Sequence, residues 1–331
     1  MNMLWLQSGG CGGCTMSLLC AESPDLLTTL AGAVIDLLWH PSLSEASCAD
    51  ALALLQQAAD GTLPLNLLCV EGALLRGPNG SGRFHLMAGT DTPMTHWVQR
   101  LAAQAQYTLA VGTCAAFGGI TAAGPNPTDA CGLQFEGTHS GGLLGIDYRS
   151  QAGLRVINVA GCPTHPNWVT ETLMALALDS LGPADLDELA RPRMIADQLV
   201  HHGCPRNEYY EYKASAEQAS DLGCMMEHLG CLGTQAHADC NTRLWNGEGS
   251  CTRGGYACIN CTAPEFEEPG HNFQRTPKIA GIPIGLPTDM PRAWFVALAS
   301  LSKAATPERL RRNAVSDHVA VPPTIRKPKP R

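Results

Sequence analysis

The sequence predicts an α/β protein: a doubly wound parallel sheet in the first part of the chain, then a loop-rich region held by metal. Three observations predict it. Short apolar runs recur over the first 180 residues, each closed by a glycine turn. Helical patterns lie between them, an alternation that builds parallel sheets with helical crossovers. From about Arg191 that rhythm stops and cysteines crowd together.

Met3 to Leu6 reads as the first strand and leads into Cys11-Gly-Gly-Cys14. Leu26 to Trp39 reads as a helix, because Ser23-Pro24 supplies a cap and a first-turn proline. Leu65 to Val70 is the second strand and ends on Glu71-Gly72. Met94 to Gln106 is a helix after Thr92-Pro93. Thr108 to Val111 is a strand running into Gly112-Thr113-Cys114, and Arg155 to Val159 is one running into Gly161-Cys162-Pro163. Asn167 to Leu181 is a helix that stops at Gly182-Pro183. The runs are too short for helices and suit strands buried on both faces. Parallel sheets place ligands at the carboxyl ends of their strands. Cys11, Cys14, Cys114, Cys162 and Glu71 are therefore expected on one edge. The domain boundary falls near 183–191. This divides the chain into an α/β domain (1–185), a Cys-rich domain (186–290) and a basic, Pro-rich tail (291–331).

A chain of 331 residues suits about two domains. At 45% hydrophobic and 16% charged it can bury a core. Its net charge of -8 argues against a nucleic-acid surface, and 5% aromatics leave few base-stacking platforms. Residues 303–331 reverse the sign, with eight Lys or Arg against two acids. That stretch reads as a solvated end or as an arm for an acidic partner.

The 15 cysteines imply disulfides or metal. The opening MNMLWLQSGG carries no export signal. Leu26 to Trp39 is the longest mostly apolar stretch and falls short of the roughly 18 residues a membrane span needs. The expectation is a cytoplasmic chain whose cysteines bind metal. Gly77 to Phe84 is a glycine-rich loop without the lysine of a phosphate-binding loop. No serine sits in a glycine elbow.

Three ligand sets emerge. Cys11, Cys14, Cys114 and Cys162 come from three strand ends, which suits a cubane iron–sulfur cluster better than a zinc knuckle. His201 and Cys204, with Cys224 and Cys231, would replace one thiolate by an imidazole; His202 beside it is a rival or plain polar surface. Cys240, Cys251, Cys258 and Cys261 fit a cluster or a zinc ribbon, and Pro264 is a weak ferredoxin-like hint.

Together these residues resemble the small subunit of [NiFe] hydrogenases, over roughly Leu4 to Glu268. The signatures are Trp5-Leu-Gln…Cys11-Gly-Gly-Cys14, Val70-Glu71-Gly72, Gly112-Thr-Cys114-Ala-Ala-Phe-Gly-Gly119, Gly161-Cys162-Pro163, His201-x-x-Cys204, Leu229-Gly-Cys231 and Cys258-Ile-Asn-Cys261. The resemblance implies a flavodoxin-like first domain and three clusters in a line. Cys11, Cys14, Cys114 and Cys162 would hold the proximal [4Fe-4S]. Cys240, Cys258 and Cys261 would hold the medial cluster, and His201, Cys204, Cys224 and Cys231 the distal [4Fe-4S]. The Ni–Fe centre that splits hydrogen would lie in a partner large subunit. Glu71 would relay protons, help position that partner or serve as a structural carboxylate.

The chain departs from the family pattern in places. Many members have a medial [3Fe-4S] with proline where Cys251 stands, so a medial [4Fe-4S] is expected here. The Cys224–Cys231 spacing is one residue longer than the common pattern. Gly13 and Gly119 occupy the places of two extra proximal cysteines in oxygen-tolerant relatives, so an ordinary cubane is expected. Cys20, Cys48, Cys69 and Cys131 have no family role and read as packing residues. With neither twin-arginine signal nor anchor, the chain resembles the cytosolic regulatory members. Those sense H2 and signal to a histidine kinase, which the 303–331 tail would dock, in a dimer of heterodimers. The alternatives are a cytosolic uptake hydrogenase and, remotely, a zinc-stabilised binding protein. A quinone-oxidoreductase relative shares the α/β domain but would leave the Cys-rich half unexplained.

Overall fold

The computed structural model describes residues 1–268, 270 and 272–317. Its centre is a five-stranded sheet of β1 (Asn2–Gln7), β2 (Asp36–Trp39), β3 (Leu67–Glu71), β4 (Tyr107–Val111) and β5 (Ile157–Val159). The order is β2-β1-β3-β4-β5 and every pairing is parallel. This is the flavodoxin-type arrangement, whose order reverses between β1 and β3 and opens a crevice there.

Alternate side chains go to opposite faces. Leu4, Leu6, Leu68, Val70 and Ala110 pack under α3 (Cys48–Ala59) and α4 (Met94–Gln104). Met3, Trp5, Leu67, Cys69, Leu109, Val111 and Ile157 pack under α1 (Gly13–Leu19), α2 (Leu26–Gly32) and α6 (Pro166–Ala177). Val200, Ala236, Ala238 and Cys258 join that second face, so the Cys-rich half shares a core with the sheet. The Trp168 indole N–H donates to Asp239 at 2.7 Å across the same seam.

The helix expected over 26–39 is instead α2 and the edge strand β2. Asp25 caps α2 through the Thr28 amide. Val34, at φ +51, then turns the chain, and the Asp36 amide donates to the Met1 carbonyl to begin the pairing with β1. A left-handed valine is costly, and five parallel strands instead of four are the return. Helix α3 has no counterpart among the sequence expectations; Ser47 caps it, and Ala51, Leu55, Ala58 and Ala59 form its buried stripe.

Residues 291–317 are not a structureless tail. They form α7 (Arg292–Ala304) and α8 (Glu308–Ala314), each entered through a proline. Phe295, Leu310 and Ala314 are buried. The rest of the basic stretch, 318–331, lies outside the described residues. No helix among the described residues is long and apolar enough to cross a membrane.

Candidate metal centres

Three loops leave the carboxyl ends of β1, β4 and β5 and bring Cys11, Cys14, Cys114 and Cys162 together. Cys11 is exposed, Cys14 is buried, and the other two are half-buried. Burial, then backbone and neighbouring charges, sets the acidity of Cys14, Cys114 and Cys162. Cys14 is pushed far up, chiefly by burial, and Glu71, Cys114 and Cys162 add to the rise. Cys162 is pushed to about 12, again by burial first and then by Cys114, Cys261 and Cys11. Cys114 also rises, through burial and Cys11. Helix α5 (Thr113–Phe117), which carries Cys114, begins at Gly112 with φ +86. A Cβ there would collide with the Cys14 sulfur, so only glycine admits this approach. At Gly119 a Cβ would stand 3.0 Å from the Cys114 sulfur.

Glu71, at the end of β3, lies under this site. Its Oε1 accepts from the Cys14 and Thr15 amides at 2.9 and 3.1 Å. Its Oε2 accepts from Trp5 Nε1 at 3.3 Å, Gln7 Nε2 at 3.1 Å and the Thr15 hydroxyl. It is 4% exposed. The carboxylate therefore anchors the first turn of α1, which carries Cys14.

Cys240, Cys251, Cys258 and Cys261 all line one cavity of about 150 Å³, walled by Trp168, Trp245, Val200 and Ala238. Cys162 lines it too, so the first two sites adjoin. Cys240 is pushed to about 12 by burial, then by Cys261 and Cys251. Cys258 rises well above its ordinary value through burial, with Cys231, Cys261 and Cys240 adding to it.

His201, Cys204, Cys224 and Cys231 line a second, smaller cavity, of about 30 Å³, with Arg206 and Tyr210. Both ring nitrogens of His201 are buried without a hydrogen-bond partner. Burial lowers its pKa, which keeps the ring neutral and ready to ligate. His202 instead lies at the surface and bonds Asp289 at 2.7 Å. His201 Nε2 also lies 3.6 Å from that carboxylate, and the two rings are 4.5 Å apart; what distinguishes His201 is that it lines the cavity with the thiols while His202 does not. Cys224 is pushed to about 12 by burial and then Cys231.

Arg206 escaped the sequence reading. Its guanidinium donates to the carbonyls of Asp221, Gly223 and Thr252, and its amide donates to the Cys204 sulfur. It pins the loops bearing Cys204, Cys224 and Cys251. Its place two residues after Cys204 was the only signal. Thr113 was also passed over, although it stands inside the Gly112-Thr-Cys114 motif.

Of the cysteines outside these sets, Cys69 and Cys131 are fully buried packing residues. Cys20 and Cys48 are exposed, which corrects the expectation that they pack. Each is at an end of a helix, Cys20 capping α1 and Cys48 opening α3, where polar backbone termini meet solvent.

The donor sets suit iron–sulfur clusters. The buried thiols of these sets, raised by burial and by one another, favour their protonated form unless a multivalent cation compensates them. The buried imidazole of His201 lines the cavity of Cys204, Cys224 and Cys231 and can add a neutral nitrogen donor to them.

Comparisons with known proteins agree with this chemistry. Residues 11–176 match the family described as NADH ubiquinone oxidoreductase, 20 Kd subunit. Residues 197–274 match the family of the C-terminal part of the NiFe/NiFeSe hydrogenase small subunit. The F420 non-reducing hydrogenase II small subunit of Methanosarcina mazei is 35% identical over 302 residues, covering 81% of this chain and 73% of that one. The periplasmic [NiFeSe] hydrogenase small subunit of Desulfomicrobium baculatum is 32% identical over 282 residues, covering 80% and 84%. Among solved structures, the actinobacterial-type NiFe-hydrogenase from Ralstonia eutropha H16 superposes with a TM-score of 0.75 at 29% identity, covering 92% of this chain and 89% of that chain. The first family match alone would leave the quinone-oxidoreductase reading open. The second covers the Cys-rich half, and with the relatives that span both halves it establishes that the chain is an electron-transfer small subunit of the [NiFe] hydrogenase family.

Proposed function

We propose that the three donor sets hold three [4Fe-4S] clusters in the order proximal, medial, distal. The observation that carries this is the gathering of all twelve donors into three adjoining sites, two of them shared cavities. Bound clusters would supply one-electron storage, which matches the two single electrons released when H2 is split in the partner large subunit. The chain's own residues bind the iron, exclude water and fix the spacing. The exposure of Cys11 beside the half-buried Cys114 and Cys162 supports a reading in which the large subunit covers the proximal edge. Cys251 supplies the fourth medial thiolate, so the medial group keeps its fourth iron. Purified complex is expected to contain iron and acid-labile sulfide in equal amounts, with no strong [3Fe-4S] EPR signal after oxidation. Zinc without sulfide would return the sites to a zinc-stabilised protein. A strong [3Fe-4S] signal from intact protein would remove Cys251 from the ligand set.

The physiological role proposed is a cytoplasmic H2 sensor that docks a histidine kinase through its basic C-terminal stretch, as a dimer of heterodimers. What supports it is the charge reversal in 303–331 and, within α8, the exposed Arg309, Arg311 and Arg312. The uptake reading is favoured by the names of the relatives, which are hydrogenase enzymes rather than sensors. Affinity purification of the native complex separates them. A large subunit plus a kinase supports the sensor; a large subunit with a cytochrome or another electron acceptor supports uptake.

A further inference from the structure

We propose that the hydroxyl of Thr113 couples the proximal and medial centres of the relay, an inference that rests on the ligand sets under Proposed function. Thr113 is 1% exposed and immediately precedes Cys114. Its hydroxyl donates to the Cys261 carbonyl at 2.5 Å and accepts the Gly161 amide at 2.9 Å. Its own amide donates to the Gly161 carbonyl at 3.0 Å. One side chain therefore joins three ligand segments: Cys114, Gly161-Cys162 and Cys261. Two of these hold the proximal group and one holds the medial group.

The same device recurs at the next gap. The Cys258 amide donates to the Cys231 sulfur at 3.3 Å, and the Leu232 amide donates to the Cys258 carbonyl at 2.8 Å. At each gap a hydrogen bond joins a ligand segment of one centre to that of the next. Electron tunnelling decays more slowly along covalent and hydrogen-bonded paths than across empty space, so these contacts are the favoured routes. Cys114 and Cys162 would hold the group that gives up one electron, and Cys240 and Cys261 the group that would accept it. No bond forms or breaks, and Thr113 keeps its proton. The second junction runs through ligand backbone, and at the first gap the Cys162 backbone also bonds the Cys261 thiol, so the Thr113 hydroxyl is the part of the junction that a side-chain change can open.

The test uses the complex with its large subunit, carrying Thr113→Val or Thr113→Ser. Valine keeps the branched shape and loses both hydroxyl bonds; serine restores them. After rapid mixing with H2, freeze-quench EPR follows reduction of each centre, and the proximal–medial spin broadening is read at equilibrium. In Thr113→Val, medial reduction slows severalfold relative to the parent. The broadening weakens, iron content is unchanged and Thr113→Ser behaves as the parent. Parent-like kinetics and broadening in a fully iron-loaded Thr113→Val would overturn the coupling role. Loss of proximal or medial iron from that variant would assign Thr113 to site assembly and overturn it too. Absence of acid-labile sulfide from the parent itself would instead defeat the ligand sets on which the inference rests.

Discussion

At position 71 one carboxylate accepts from five donors, two of them amides that open α1. Glu71→Gln turns one acceptor into a donor facing donors, and a buried mismatch of that kind costs about 1–3 kcal/mol. The variant should melt a few degrees lower and lose proximal iron before distal iron, read by thermal unfolding and site-resolved EPR. Above Glu71, the Thr15 hydroxyl lies 3.4 Å from His40 Nε2, and His40 Nδ1 accepts from the Ser42 amide. Burial lowers the His40 pKa from 6.5 to about 4 despite the opposing pull of Glu71. The folded protein therefore refuses a proton that the unfolded chain accepts. Stability is full above pH 6.5 and declines as pH falls toward 4, by at most about 3 kcal/mol. Melting temperatures measured from about pH 7 down to about 4.5 should fall, and His40→Gln should flatten that slope. The grouping of these cysteines and His201 was legible at this scale because cysteines after strand ends and a His-x-x-Cys step are local patterns. Arg206 and the partners of Glu71 were not, since their bonds join residues far apart in sequence.

Strand ends carried most of the fold's legibility. All four strands read from apolar runs exist, and each delivers its glycine–cysteine or glutamate turn to the same edge. The failure at 26–39 has a physical cause: a leucine-rich run satisfies both a helical stripe and a doubly buried strand. What decides is Val34, forced to φ +51, and the free edge of β1 waiting for a partner. In the Cys-rich half there is little regular structure, so loops are held by specific polar contacts. Arg206 is the chief of these, with bonds to three carbonyls in loops carrying Cys224 and Cys251. Arg206→Met should leave those carbonyls unpaired and destabilise by about 2–4 kcal/mol. Distal iron should be lost first while the proximal signal persists, as read by iron content and EPR of the purified complex. Equal loss at all sites would mean the contacts serve the fold at large.

At the scale of the whole molecule, the C-terminal stretch has a structural job that its basic composition hid in the sequence. Leu310 of α8 is 0% exposed, and the carbonyl of Ala314 accepts from the Gly223 amide at 2.9 Å. The Ser316 carbonyl accepts likewise from the Leu222 amide at 3.0 Å, and Asp317 bridges to Asp221. These bonds brace the residues immediately before Cys224. A truncation of 303–331 would therefore remove a support of the distal site along with any docking arm. Loss of a partner from that variant would be ambiguous. Removing only 318–331 takes away four of the eight basic residues and none of these bonds. The shorter truncation should keep distal iron and thermal stability at parental values. The longer one should expose the Gly223 and Leu222 amides, lower the melting temperature and deplete distal iron. If a histidine kinase is lost on deleting 318–331 with all iron retained, the basic end is a docking arm. If the kinase stays, the arm begins within α7 and α8. Should the 303–331 deletion retain its distal signal undiminished, the bracing of Cys224 by α8 is wrong.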